Sequence, residues 1–180
     1  MGGERIRTER TAHMEEVHPR LFVGDDKDYE RVKDNSGWSF LRCCKEGPGG
    51  HRYVLKYHSL GAPKDAHYLW VRKGNLEALN LLDLEDPDFI PKQVIDEGLK
   101  FIKERMDAGD KVLVACNAGH SRGPTMALMY LREIGEYPER FRTAESKYRA
   151  FYPKYDPNSG MRAFARSHWQ QLKDNFYGSV

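Results

Sequence analysis

A chain of 180 residues, 39% apolar and 31% charged, has the size and composition of one globular domain that buries its own core without covalent staples. No apolar run approaches the roughly 18 residues of a membrane span, and the charged opening MGGERIRTER lacks the apolar segment of a secretory signal. Three cysteines, Cys43, Cys44 and Cys116, form an odd set without metal-ligand spacing, which argues against a disulfide scaffold and a zinc site and for reduced thiols in a cytoplasmic setting. Net charge is only +2, yet residues from Lys111 onward carry 11 Lys and Arg against 6 Asp and Glu, leaving the preceding part net negative. A basic second half suits a phosphorylated substrate, although charge alone does not identify one.

Residues 1–13 are polar and read as a flexible arm ahead of a single domain over 14–178. Glu16–Gly24 reads as one short strand, Asp25–Asp34 as a short helix, and Trp38–Cys44 as a strand. The cluster Gly47-Pro48-Gly49-Gly50 is a turn. Tyr53–Tyr57 and Tyr68–Val71 read as strands around the turn-rich residues 59–63, and Ala78–Leu82 as an apolar strand ending at Asp83. After the acidic loop Asp83–Asp88, Ile95, Leu99, Ile102 and Met106 recur at helical spacing, predicting a helix from about Pro91 to Ala108. Lys111–Ala115 is a buried strand. Arg122–Ile134 is the next helix, with Pro124 tolerated in its first turn, and Pro138–Phe151 follows as another. A break over Tyr152–Gly160 precedes a last amphipathic helix with Met161, Ala165, Trp169, Leu172 and Phe176 on one face. The sum is an α/β single domain, a central mixed β-sheet flanked by helices.

The chemistry is concentrated after Lys111–Ala115. There a strand ends at Cys116, the short loop Asn117-Ala118-Gly119-His120-Ser121 follows, and Arg122 opens a helix. Backbone N–H groups converge where a tight turn meets a helix N-terminus, and the helix dipole favours an anion there. The same field favours the thiolate form of a cysteine. Cys116 is therefore the candidate nucleophile, attacking phosphorus in line to form a phosphocysteine. Arg122 is the candidate clamp, offering two parallel N–H donors to two phosphate oxygens. Asn117, Ala118, Gly119, His120 and Ser121 supply the remaining donors, and Ser121 is placed to hydrogen-bond the sulfur as it leaves. A buried cysteine closing a core strand is the plain alternative.

A leaving alkoxide or phenolate needs a proton from a loop over the pocket. Asp83, Glu85, Asp86 and Asp88 compete for that role. Asp83 sits directly at the end of an apolar strand, where its position is best defined, and is the first choice for general acid; Asp86 remains the alternative.

Cys116 to Arg122, with Ser121 inside, Thr125 after and Val112–Val114 before, resembles the active-site loop of the dual-specificity phosphatases within the cysteine-dependent protein tyrosine phosphatase superfamily. Glu16–Gly24 resembles that family's opening strand, Leu81–Phe101 its acid loop and following helix, and Tyr152–Met161 the turn before its last helix. The resemblance covers most of residues 14–176, with only the loop highly specific. It implies a phosphatase-type fold and a metal-independent, cofactor-free phosphomonoesterase using Cys116, Arg122 and Asp83. The substrate expected is a phosphorylated protein, phosphotyrosine first and phosphoserine or phosphothreonine second. A phosphoinositide, a glucan phosphate or an RNA 5′ phosphate is the alternative, and a phosphate-binding pseudophosphatase a third. A monomer is expected.

Two departures stand out. The family usually carries His before the nucleophile, where it helps hold the thiolate; here the residue is Ala115. Residues between Cys44 and Lys64 are richer in Gly and Pro than a minimal member needs, forming either a pocket wall or an ornamental hairpin. His120 is either a substrate contact or an exposed loop histidine. Some members protect the nucleophile by a disulfide to a cysteine on the segment matching Trp38–Cys44, which makes Cys44 the candidate redox partner.

Overall fold

Val112, Leu113, Val114 and Ala115 are all fully buried, and the sheet grows outward from them. A computed structural model describes residues 14–58 and 60–177. Its elements are β1 (Glu15–His18), β2 (Leu21–Gly24), α1 (Asp26–Val32), β3 (Trp38–Arg42), α2 (His51–Leu55), β4 (Trp70–Lys73) and β5 (Leu76–Leu79). After a 3₁₀ turn (Pro87–Phe89) come α3 (Lys92–Asp107), β6 (Lys111–Ala115), α4 (Arg122–Glu133), α5 (Phe141–Phe151) and α6 (Ser159–Tyr177). The six strands form one mixed sheet in the order β1-β2-β6-β3-β5-β4. β2, β6, β3 and β5 run parallel, and β1 and β4 close the edges antiparallel. Strands buried on both faces read as continuous apolar runs, which is why β6 was legible as a strand.

Alternation along β6 sorts the core into two layers. Val112, Val114 and Cys116 face a large cluster with Leu21, Val23, Leu41 and Cys43, covered by α3, α4, α5 and α6. Leu113 and Ala115 face a smaller cluster with Phe40 and with Tyr29 and Val32 of α1. The α6 face predicted from spacing is seen in Met161, Ala165, Trp169 and Leu172, all buried. The side chain of Phe176 and the arm over 1–13 lie outside the described residues.

The strand expected at Trp38–Cys44 ends at Arg42, the one expected at Tyr68–Val71 lies at Trp70–Lys73, and four further expectations change. Glu16–Gly24 is a hairpin, not one strand: β1 and β2 are antiparallel, and Arg20 turns the chain at φ +67° with its N–H on Glu16 Oε1 at 2.8 Å. Tyr53–Tyr57 is not a strand. His51–Leu55 forms the short helix α2, entered from Gly50 and ended by Lys56 at φ +58°. The aromatic and β-branched run there has strand propensity, but buried His51, bonded to Tyr57 Oη and the His67 carbonyl at 2.6 Å each, anchors a helical turn instead. The strand expected at Ala78–Leu82 lies earlier, at Leu76–Leu79, because its pairing with β3 and β4 stops there; Leu81 stays buried beyond it. α5 starts at Phe141 rather than at Pro138.

Candidate active site

Cys116 follows the last residue of β6, at the carboxyl end of the parallel strands, where α/β sheets open their clefts. It is 2% exposed. The loop after it has its carbonyls turned outward. Asn117 O accepts from Asp26 N (3.2 Å), Gly119 O from Tyr152 Oη (2.7 Å), and His120 O from Asp156 N (2.9 Å). In a planar trans peptide the next N–H points the opposite way. The N–H groups of Ala118, His120 and Ser121 are thereby directed away from these donors, and none has an acceptor among the described residues. The chain so makes a nest of donors beside the open N-terminus of α4. Gly119 permits the curvature with φ +75°.

Arg122 is tethered at both terminal nitrogens. Nη1 donates to Leu81 O at 2.9 Å and Nη2 to Asn117 Oδ1 at 2.8 Å. Its Nε is buried and has no hydrogen-bond partner among the described residues. Ser121 Oγ donates to Asp83 Oδ1 at 2.7 Å and accepts from Asn158 N at 2.9 Å. Its hydroxyl therefore points to Asp83 in this structure rather than to the Cys116 sulfur. Asp83 is exposed and pinned further by Asn158 Nδ2 on its carbonyl (2.9 Å), while Ser159 Oγ holds the Glu85 carbonyl (2.8 Å). Asp86 instead caps the 3₁₀ turn, accepting from Asp88 N at 2.9 Å. The loop thus brings together Cys116, Asn117, Ala118, Gly119, His120, Ser121, Arg122 and Asp83, and leaves Asp86 with a local structural partner. The His120 ring, exposed at the rim, bonds Lys154 O through Nδ1 at 3.0 Å.

The other two cysteines divide between the faces. β3 and β6 are in register at Arg42 and Ala115, so the next pair is Cys43 and Cys116, and Cys43 N donates to Ala115 O at 2.8 Å. Cys43 packs in the core cluster that holds Cys116, whereas Cys44 does not. Burial pushes the Cys43 thiol well above its ordinary value and the Cys44 thiol up to about 11.

Sequence reasoning missed four participants: Asp26, Arg42, Tyr152 and Asn158. Arg42 is the one with a visible signal, a charge at the end of an apolar strand. The others are ordinary polar residues whose roles depend on tertiary approach.

The fold is that of the dual-specificity phosphatases. DUSP15 superposes with a TM-score of 0.62 at 19% identity, over 93% of this chain and 97% of that one. The human tyrosine phosphatase-like serine/threonine/tyrosine-interacting protein gives 0.58 at 19%, over 92% and 98%. Cydia pomonella PTP-2 phosphatase gives 0.60 at 14%, over 86% and 89%. No family model and no curated protein matches the sequence itself.

Proposed function

We propose that this protein is a cysteine-dependent phosphatase that hydrolyses phosphomonoesters through a phosphocysteine intermediate. One observation carries the reading: buried Arg122 Nε and the N–H groups of Ala118, His120 and Ser121 all lack protein acceptors, among the described residues, around the Cys116 loop. A buried donor such as Arg122 Nε is costly without a partner, and an oxyanion supplies one while also taking the unpaired loop N–H groups. Sγ of Cys116 attacks phosphorus, and the phosphorus–oxygen bond to the leaving group breaks as the S–P bond forms. Arg122 and the nest hold the equatorial oxygens as their charge develops. Asp83, protonated, gives its proton to the leaving oxygen and then accepts one from the water that releases phosphate. Ser121 orients Asp83 from Oδ1, which leaves Oδ2 for this traffic, and turns toward sulfur only if that bond is given up.

The chemistry assigned here uses Cys116, Arg122 and Asp83 without a cofactor. The substrate class proposed is a phosphorylated protein, with phosphotyrosine first, and non-protein phosphomonoesters are the alternative. The protein acts as a monomer in a reducing, cytoplasmic setting, where its three thiols stay free. Among the described residues no helix is long and apolar enough to cross a membrane. For reversible oxidation of Cys116, the shared face and register favour Cys43 over Cys44 as partner.

Release of phosphate from para-nitrophenyl phosphate, lost in Cys116→Ser, supports the proposal. Tight phosphate binding without turnover between about pH 5 and 8 overturns it in favour of a binding module. Ala115 beside the nucleophile is the feature that favours this second reading.

A further inference from the structure

The last residue of β3, Arg42, is fully buried. It stands in register with Ala115 on the neighbouring parallel strand, so both side chains leave the sheet on the same face. The methyl group of Ala115 leaves room there. The Arg42 guanidinium lies 4.8 Å from the centroid of the Tyr29 ring, donates through Nε to Pro48 O at 2.9 Å, and pairs through Nη2 with the Asp26 carboxylate. A buried cation is costly unless it is paired and hydrogen-bonded, so this arrangement calls for a function.

Asp26, the first residue of α1, reaches the active-site loop twice. Its N–H holds Asn117 O at 3.2 Å, and each carboxylate oxygen accepts from Asn117 Nδ2 at 3.2 Å. Asn117 Nδ2 also donates to Glu46 O at 2.9 Å, while its Oδ1 accepts from Arg122 Nη2 at 2.8 Å. The amide has one tolerable orientation. Reversed, it would set Oδ1 against a carboxylate and a carbonyl, and its NH₂ against a guanidinium. Arg42 offsets the charge of Asp26, Asp26 orients Asn117, and Asn117 holds one terminal nitrogen of Arg122 so that Nε stays available.

We infer that Arg42 and Asp26 are positioning residues for the phosphate clamp, acting on Arg122 through Asn117 from the space that Ala115 leaves open. The inference rests on the proposed phosphate site, though not on turnover. A relay of charge-assisted bonds differs from a field effect in sign. Removing the Asp26 charge should tighten anion binding if charge alone matters. It should weaken binding if the carboxylate is what orients Asn117. An amide in place of that carboxylate sets an NH₂ group against the Asn117 Nδ2 or Arg42 Nη2 donors, where the carboxylate offers only acceptors.

The experiment is inorganic phosphate binding by calorimetry on the full chain, with kcat and KM for para-nitrophenyl phosphate alongside. Asp26→Asn should weaken phosphate on the order of tenfold. Asn117→Ala should weaken it similarly, and the double variant no further than Asn117→Ala alone, as expected of two residues in series. Arg42→Lys, which keeps the charge but loses the fork, should also weaken phosphate. Thermal midpoints accompany every variant. If Arg42→Lys fails to fold, the Asp26–Asn117 cycle decides the matter, since both residues are only partly buried. Unchanged or tighter phosphate in Asp26→Asn, or additive losses in the double variant, would overturn the relay. Wild-type protein that binds phosphate but turns over no monoester would refute the catalytic proposal while the binding cycle still judges this one.

Discussion

Gly119→Ala tests whether the curvature of the Cys116 loop is as tightly held as its contacts imply. The residue sits at φ +75°, where a Cβ costs about 1–2 kcal/mol. That Cβ would also lie 3.0 Å from Tyr152 Oη and 3.2 Å from Gly24 O. Neither neighbour yields easily. Gly24 ends β2 and is paired with Ala115, and Tyr152 is buried with its hydroxyl bonded to the Gly119 carbonyl itself. Relief must come from the loop, adding about 1–3 kcal/mol of overpacking. Together the terms predict a loss of about 2–5 kcal/mol. For a chain of 180 residues this is a fall in Tm of roughly 4–20 °C. Rotating the Gly119 carbonyl also misdirects the His120 N–H, and a displacement of about 1 Å at such a site costs on the order of a hundredfold in rate. Gly74→Ala is the control: φ there is +59°, yet nothing lies within 4 Å of the added Cβ, so only the backbone cost remains. Differential scanning fluorimetry and steady-state hydrolysis read both variants. Equal, small shifts for the two, with activity intact in Gly119→Ala, would refute the reasoning.

Asp83→Asn should lower kcat by roughly 10²–10⁴ and more steeply for alkyl than for nitrophenyl phosphates, whose leaving group needs less protonation, whereas Asp86→Asn should mainly loosen the 3₁₀ turn; the reverse pattern would move the acid to Asp86. Burial keeps the Cys43 and Cys44 thiols protonated at neutral pH, so iodoacetamide at about pH 7 should label Cys116 alone. Mild peroxide should then give a Cys116–Cys43 link by peptide mass mapping, since neighbouring strands about 4.8 Å apart suit disulfide geometry; a Cys116–Cys44 link would contradict the assigned faces. Glu77 is fully buried, and burial first, with Glu97 beside it, pushes its carboxyl up to about 8 despite Arg72 at 3.5 Å. The folded state therefore retains a proton that the unfolded chain loses near pH 4.5, and stability from this group declines as pH rises from about 4.5 to about 8. Glu77→Gln should raise Tm at pH 8 and make little difference at pH 4.5; a uniform effect across that range would exclude the linkage.

The parts of the fold that were legible in sequence are those where one strong local pattern decides. β6 is a continuous apolar run, α3 repeats its apolar residues at helical spacing, and α6 does so over 161–172. The α2 segment misled because its residues favour strand locally while a buried histidine with two partners 6 and 16 residues away decides the outcome. The hairpin at Arg20 was hidden for a similar reason. Its turn has no glycine at the left-handed position, and its closing bond comes from the Glu16 side chain.

At the candidate site the division is sharper. Cys116, Arg122 and the loop between them are contiguous, so spacing alone exposes the chemistry. What orients them comes from elsewhere in the chain: Asp26 lies 91 residues from Asn117, Tyr152 lies 33 from Gly119, and Asn158 lies 37 from Ser121. A single polar residue at such separation carries no local periodicity or motif. The oddity at Ala115 was readable, but its complement was not, because strand register is what puts Arg42 beside it. A small residue next to a nucleophile reads in sequence as a missing group. In the folded chain it is the opening through which a buried arginine, by way of Asp26 and Asn117, reaches the clamp.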